Sequence, residues 1–293
     1  MKFSERIQNI SPSMTLAIDA KAQEMKARGE DVIGFGAGEP DFNTPEHIKQ
    51  AGIRAIENNQ TRYTPVGGSI PFKEAIITKL ERDNGLVYEK NQILASCGAK
   101  QSFYNLAQVL WQAGDEIIIP APYWVSFPDM VILSGAKPII IHTGAEQDFK
   151  ITPEQIDKAV TPNTRAIVIN SPSNPTGSAY NRGELEQLAE CALRHNLLII
   201  SDEIYEQIVF DGFQHTSIAS LSKEVQKNCV VINGVSKSYA MTGWRIGYIA
   251  AGDPEIVKQV GKLQGQSTSN PCSVSQAASI EALTGPLDEV HAM

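Results

Sequence analysis

Apolar runs of strand length alternate with helix-length amphipathic stretches along most of the chain. EIIIPAPYW (116–124) reads as a buried strand and its exit loop. KPIIIHT (137–143), RAIVINS (165–171), NLLIISDE (196–203) and NCVVING (228–234) repeat the theme. Between them, NRGELEQLAECALRHN (181–196) puts Leu185, Leu188, Ala189 and Ala192 on one helical face. Strands that are apolar on both faces, alternating with helices, predict an α/β fold: a large domain with a mostly parallel sheet flanked by helices. The N-terminal part differs. TLAIDAKAQEMKARGE (15–30) predicts a helix with a stop signal at Gly29, and VIGFGAGEPDFNTP (32–45) a short strand and a Gly/Pro-rich loop. At the other end, SVSQAASIEALTGPLDEVHAM predicts a helix, a break at Gly285-Pro286 and the start of another helix.

Composition narrows the function. The 293 residues, 42% of them hydrophobic, are enough for a large core. A net charge of −8 argues against a nucleic-acid partner, which calls for a basic face. No apolar run reaches the ~18 residues of a membrane span, and MKFSERIQNISPSMT lacks the apolar core of a signal peptide. Cys97, Cys191, Cys229 and Cys272 are widely spaced, which fits reduced thiols and a cytoplasmic location. The five histidines form no short-spaced cluster, so no metal is expected.

Ligands of open α/β sheets sit at the carboxyl ends of the strands. There the first predicted strand delivers Tyr123 and Trp124, and the 165–170 strand delivers Asn170 and Asn174 within NSPSNPTG. The next two deliver Asp202, Glu203 and Tyr205, then Ser236 and Lys237. Singly, each has an ordinary reading: Trp124 as core, NPTG as a turn, Asp202 as a helix cap, Lys237 as a solvated surface residue. Together they offer an aromatic face, amide donors, a carboxylate, a phenol and an amine. That set suits a flat, heteroaromatic, phosphorylated aldehyde.

NSPSNPTG, SDEIYE and NGVSKSYAMTGWRIGY resemble the class I, fold-type I pyridoxal-phosphate-dependent aminotransferases, in the bacterial-type aspartate aminotransferase branch. GAGEPDFNTPEHI, YTPVGG, GAKQSFYNL and PAPYWVSFPDM match as well, so the resemblance covers essentially the whole chain. It implies that Lys237 forms the Schiff base with pyridoxal 5'-phosphate and moves the proton in catalysis. It implies Arg245 as a phosphate clamp and Asp202 as the carboxylate that keeps the pyridine nitrogen protonated. Asn174 and Tyr205 would hydrogen-bond the ring's phenolic oxygen, and Trp124 would stack on the ring. Gly98, Ala99 and Lys100, opening a helix-like stretch, and a hydroxyl such as that of Ser236 would meet the phosphate. Tyr63 resembles the tyrosine that reaches a neighbouring subunit's phosphate, which implies a homodimer with shared sites. Gly38 matches a loop glycine whose backbone meets the substrate carboxylate.

The resemblance also shapes the expected substrate and limits. Lys100, Ser13 and Thr15 would bind the second carboxylate of a dicarboxylic amino acid, making the expected reaction aspartate to 2-oxoglutarate amino transfer. The alternative reading of Ser13 is a helix cap, and of Lys100 a surface residue. Prephenate-type, aromatic or alanine-like substrates, a β-elimination or C–S lyase outcome, and a non-catalytic chain are the competing functions. A dinucleotide site at GFGAGE (34–39) fails on spacing and context. One departure is Gly234, where many relatives carry a phosphate-binding serine. Another is the chain's end: the resemblance implies that a C-terminal segment, with the arginine for the substrate α-carboxylate, is missing after Met293. The expected domains are an N-terminal arm and part of a small domain (1–45), a large cofactor-binding domain (46–284) and a connection to the rest of the small domain (285–293).

Overall fold

The structure, a computed structural model, describes residues 1–12, 14–34, 36 and 38–293. Its centre is a seven-stranded sheet of β1 (Ile93–Ser96), β2 (Glu116–Ala121), β3 (Lys137–His142), β4 (Thr164–Asn170), β5 (Leu198–Asp202), β6 (Cys229–Gly234) and β7 (Gly247–Ala251). The order is β1-β7-β6-β5-β4-β2-β3. β7 is antiparallel to both neighbours and the remaining pairs are parallel. This is the predicted mostly parallel sheet, with β1 and β7 added to the five strands read from sequence.

The period of two explains why these strands are so uniformly apolar. On β4, Ile167 and Ile169 join one buried cluster, and Ala166 and Val168 join another across the sheet. The first cluster packs under the Ile70–Asn84 and Arg182–Arg194 helices, through residues such as Ile76, Leu80, Leu185 and Leu188. The second meets the Ala99–Leu110 and Ser126–Ser134 helices through Phe103, Leu106, Phe127 and Val131. Each such buried side chain contributes about 1.5–3 kcal/mol. Helix ends follow local chemistry. Asn181 and Glu184 cap the Arg182–Arg194 helix reciprocally, and Gly85 closes the Ile70–Asn84 helix in a left-handed turn at φ 64°.

The N-terminal helix runs Met14–Ala27, and Gly29 follows it at φ 82°. The strand expected after it is not formed among the described residues: 32–34 are in no sheet, and Ile33 is 79% exposed. An apolar stretch becomes a strand only with a neighbour to take its backbone hydrogen bonds, and none of the described strands pairs with these residues. The predicted break at Gly285-Pro286 separates the Ser273–Thr284 and Asp288–Ala292 helices.

Parallel register aligns the strand ends that matter. Asn170 of β4 pairs with Asp202 of β5, which pairs with Ile232 of β6. The turn into the Ala99–Leu110 helix crosses this end of the sheet against Gly247. A Cβ there would fall 2.3 Å from the Ala99 nitrogen, so only glycine admits the crossing.

Candidate active site

The aligned strand ends open into a cleft of about 650 Å³. Lys237, Asp202, Tyr205, Asn174 and Trp124 line it, as do Ser236, Arg245, Ala99 and Lys100. Gly38 and Thr15 close the N-terminal side.

Asp202 ends β5. The pleat puts it on the same face as Leu198 and Ile200, over the cluster that contains Trp124. Its carboxylate is buried and, among the described residues, accepts one hydrogen bond, from the Ile204 N–H at 3.2 Å. Burial pushes its pKa up to about 7; the neighbouring Glu203 charge adds to the rise, while the Ile204 N–H and Lys237 oppose it. Its backbone is tied down by Asn170, whose Nδ2 donates to the Asp202 carbonyl at 3.1 Å.

Lys237 is half-buried after β6. Its ammonium donates to the Gly38 carbonyl and sits 5.7 Å from the centre of the Tyr205 ring. Burial lowers its pKa; Arg245 adds to the drop, while Glu39 and Asp202 favour the charged form. The Tyr205 phenol is itself raised, by burial first and the Asp202 charge second, and Asn174 Nδ2 donates to its oxygen at 3.5 Å. Asn174 is held in turn by its own N–H, which donates to Asn170 Oδ1 at 2.8 Å.

Arg245 takes a left-handed conformation (φ 56°) and turns its guanidinium toward the start of the Ala99–Leu110 helix. Nη1 donates to the Thr242 carbonyl at 3.0 Å and Nη2 to that of Cys97 at 3.4 Å. Gly98, at φ 91°, leaves it room, because a Cβ there would fall 2.5 Å from Nη2. A guanidinium and the free N–H groups of a helix start thus face one spot. Lys100 lies 4.9 Å from the centre of the Trp124 ring, and its pKa is lowered by burial and then by Arg245.

Not every expected residue meets the cleft. Gly98 backs Arg245 without lining the cavity, and Tyr63 is 91% exposed on a loop away from it. Ser13 lies outside the described residues. Gly234 has no space for a side chain, since a Cβ would come 2.7 Å from the Ile246 carbonyl oxygen. Of the two nearby hydroxyls, Ser236 lines the cleft and Ser238 does not. Sequence reasoning missed Glu39 and Thr242: Thr242 Oγ1 donates to Glu39 Oε2 at 2.9 Å, tying the N-terminal loop to the segment between Lys237 and Arg245. The only hint was a carboxylate within the GAGEPDF loop.

The family model for aminotransferase class I and II matches residues 30–293. The chain belongs to the class I and II aminotransferases. A curated aspartate aminotransferase of a Bacillus species is 54% identical over 99% of this chain and 74% of its own length. An aspartate/prephenate aminotransferase of Cereibacter sphaeroides is 51% identical over 97% and 71%. The crystal structure of the Rhizobium meliloti aspartate aminotransferase superposes with a TM-score of 0.95 at 45% identity, covering 99% of this chain and 72% of that one. Aminotransferases of this family use pyridoxal phosphate, and the cleft fits it. Among the described residues the buried Asp202 carboxylate has a single partner and Lys237 makes no ion pair, and the Gly98 cradle keeps the Arg245 guanidinium and the helix start clear for an anion.

Proposed function

We propose that this aminotransferase moves the amino group of aspartate, or of a similar dicarboxylic amino acid, to 2-oxoglutarate. The observation that carries the reading is the pairing, in one cleft, of a half-buried amine without an acid partner among the described residues and a buried carboxylate. Each is costly to bury alone and each is complemented by one part of the same cofactor.

Pyridoxal phosphate, when bound, supplies an aldehyde that takes up amines and a ring that draws electrons from the Cα–H bond. Lys237 would hold that aldehyde, yield it to the substrate's amine and then carry the proton off Cα. Its lowered pKa serves this, because a proton carrier must spend time as the free amine. Asp202 would face the pyridine nitrogen, where a ring N–H⁺ stabilises the carboxylate that burial alone disfavours. Arg245, Ser236 and the Gly98–Lys100 turn would hold the phosphate. Asn174 and Tyr205 would donate to the phenolic oxygen, and Trp124 would cover the ring face.

For the substrate, Gly38 would meet the α-carboxylate through its backbone, while Lys100 and Thr15 would meet the second carboxylate. The aspartate names carried by the relatives support this side of the reading. The exposed Tyr63 fits a role in a second subunit's site, and hence a homodimer. We take the enzyme to be cytoplasmic on the family resemblance; no described helix is long and apolar enough to cross a membrane. We take 1–45 as an N-terminal arm and part of a small domain, 46–284 as the cofactor-binding domain, and 285–293 as the start of the connection to the rest of the small domain.

The test is borohydride trapping of the protein with pyridoxal phosphate, peptide mapping, and turnover of aspartate with 2-oxoglutarate. A label on Lys237 with formation of oxaloacetate and glutamate is expected. Prephenate as acceptor, and release of pyruvate and ammonia, are the parallel assays. Dominance of either over 2-oxoglutarate turnover would replace the specificity stated here.

A further inference from the structure

The residue after Asp202 is also a carboxylate, and the pleat of β5 sends it to the opposite face of the sheet. Glu203 is 1% exposed and accepts hydrogen bonds from Ser201 Oγ at 2.8 Å and Ser217 Oγ at 2.7 Å. His215 Nε2 lies 3.3 Å from its other oxygen. Its backbone N–H donates to the Ile232 carbonyl of β6 at 2.9 Å. Ser201 and Glu203 flank Asp202 in the chain, so both neighbours of the cleft carboxylate are fastened behind the sheet. Among the described residues, the Asp202 carboxylate has only the Ile204 N–H to orient it.

His215 faces Glu203, Glu206 and Lys79. Tyr88 and Cys229 lie near Glu203, and burial raises both, so they stay neutral. Burial works against a charged imidazole, but the Glu203 hydrogen bond and the charges of Glu203 and Glu206 outweigh it, and the His215 pKa is raised. Lys79 is engaged with Glu206, and His215, whose charge also acts on Glu206, is the cation in contact with Glu203.

We propose that His215 and Glu203 are positioning residues for Asp202: from the far face of the sheet they anchor the end of β5 and hold constant the charge that the cofactor cleft feels. This rests on the reading of Asp202 and Lys237 as the cofactor's partners. Over the pH range in which Glu203 keeps its charge, a neutral residue in place of His215 would leave that charge unbalanced one residue from Asp202. The cleft would then favour cations, including a protonated nitrogen on Lys237.

The experiment uses the holoenzyme and three variants, His215→Asn, Glu203→Gln and the two combined. The visible absorbance of the cofactor held by Lys237 is titrated against pH. His215→Asn should raise the midpoint by roughly 0.5–1 on the pH scale. Glu203→Gln should lower it by less, because His215 sheds its proton as its partner loses charge. The double variant should match Glu203→Gln, since His215 has nothing left to balance. Glutamine keeps the shape of Glu203, so this arm stands even if His215→Asn does not fold. Midpoints unmoved in folded, cofactor-loaded variants would overturn the proposal, as would a His215→Asn shift that persists beside Glu203→Gln. A merely structural role would lower thermal stability and leave the midpoint in place. Borohydride labelling of the wild type separates the two levels: a label away from Lys237 overturns the cofactor reading and the proposal together, whereas a label on Lys237 with unmoved midpoints overturns the proposal alone.

Discussion

Asp202 and Glu203 are adjacent in the chain, both buried, and treated in opposite ways. On the cleft side, the Asp202 carboxylate has one hydrogen bond among the described residues and a pKa pushed up to about 7 by burial. Behind the sheet, Glu203 has two serine hydroxyls and an imidazole. Glu206, on the same side, accepts from Lys79, Asn84 at 2.9 Å and Asn233 at 2.6 Å; burial would raise its pKa, but Lys79 and His215 outweigh that and lower it. A carboxylate that serves the fold is saturated by protein donors. One that serves a ligand keeps its valence open and costs stability until the ligand arrives. Lys79 and Lys237 repeat the contrast: the first is embedded among Glu206, Asn84 and Asp83, while the second has, among the described residues, only a carbonyl.

The largest test of the comparison is Lys237→Ala. Turnover should fall by ~10,000-fold or more, the upper end of what one positioned acid–base group contributes, with the fold intact by circular dichroism. A variant that keeps substantial turnover would remove Lys237 from the chemistry. Behind the sheet the same kind of substitution should do the reverse. Lys79→Met leaves Glu206 buried without its cation and should cost about 3–5 kcal/mol in urea unfolding, with cofactor trapping on Lys237 preserved in the fraction that stays folded. Adding Glu206→Leu should recover part of that loss, because the stranded charge goes with it.

Asp202→Asn should separate stability from function in the opposite sense. An acid whose folded pKa lies above its unfolded value destabilises the fold as pH rises. The penalty is absent below about pH 4, grows up to about pH 7 and is constant above. Asparagine keeps the acceptor for the Ile204 N–H and removes that penalty. Each tenfold difference in proton affinity between the folded and unfolded chain is worth about 1.4 kcal/mol. The cofactor-free variant should therefore be more stable than wild type by a few kcal/mol at pH 8 and indistinguishable near pH 4. With cofactor and substrate, turnover should drop by more than cofactor affinity does. A variant without gain at pH 8 would mean that Asp202 is already satisfied.

These two sides were not equally legible in the sequence. The cleft could be read because its residues follow apolar runs at strand ends: Asn174 after β4, Asp202 and Tyr205 after β5, Lys237 after β6. Parallel register then brings those ends together without further information. The network behind the sheet has no such signature. Lys79 and Glu206 lie far apart in the chain, and a lysine on a helix reads as solvated until packing shows otherwise. Two strands also escaped: ILAS and GYIAA, at Ile93–Ser96 and Gly247–Ala251, are short and rich in small residues, and pairing with β6 and with each other makes them strands. The stretch at 32–34 failed for the converse reason, having strand-forming residues and no neighbour.

The smallest expected effect concerns the one departure from the resemblance inside the cofactor site. Gly234 pairs with Gly247 where β6 and β7 approach, and a Cβ on it would meet the Ile246 oxygen at 2.7 Å and the Gly247 Cα at 2.9 Å. Both obstacles are backbone, which cannot rotate aside. Gly234→Ser should therefore cost about 1–3 kcal/mol in stability, with no gain in cofactor affinity from the added hydroxyl. Ser236→Ala, by contrast, removes a hydroxyl that already lines the cleft. It should weaken cofactor retention about tenfold, the worth of one hydrogen bond to a charged group, while leaving the unfolding midpoint nearly unchanged. If Gly234→Ser instead tightened cofactor binding, the strands would have yielded to admit a second phosphate ligand, and the boundary between the fold's glycines and the cofactor's hydroxyls would lie one residue pair deeper in the sheet.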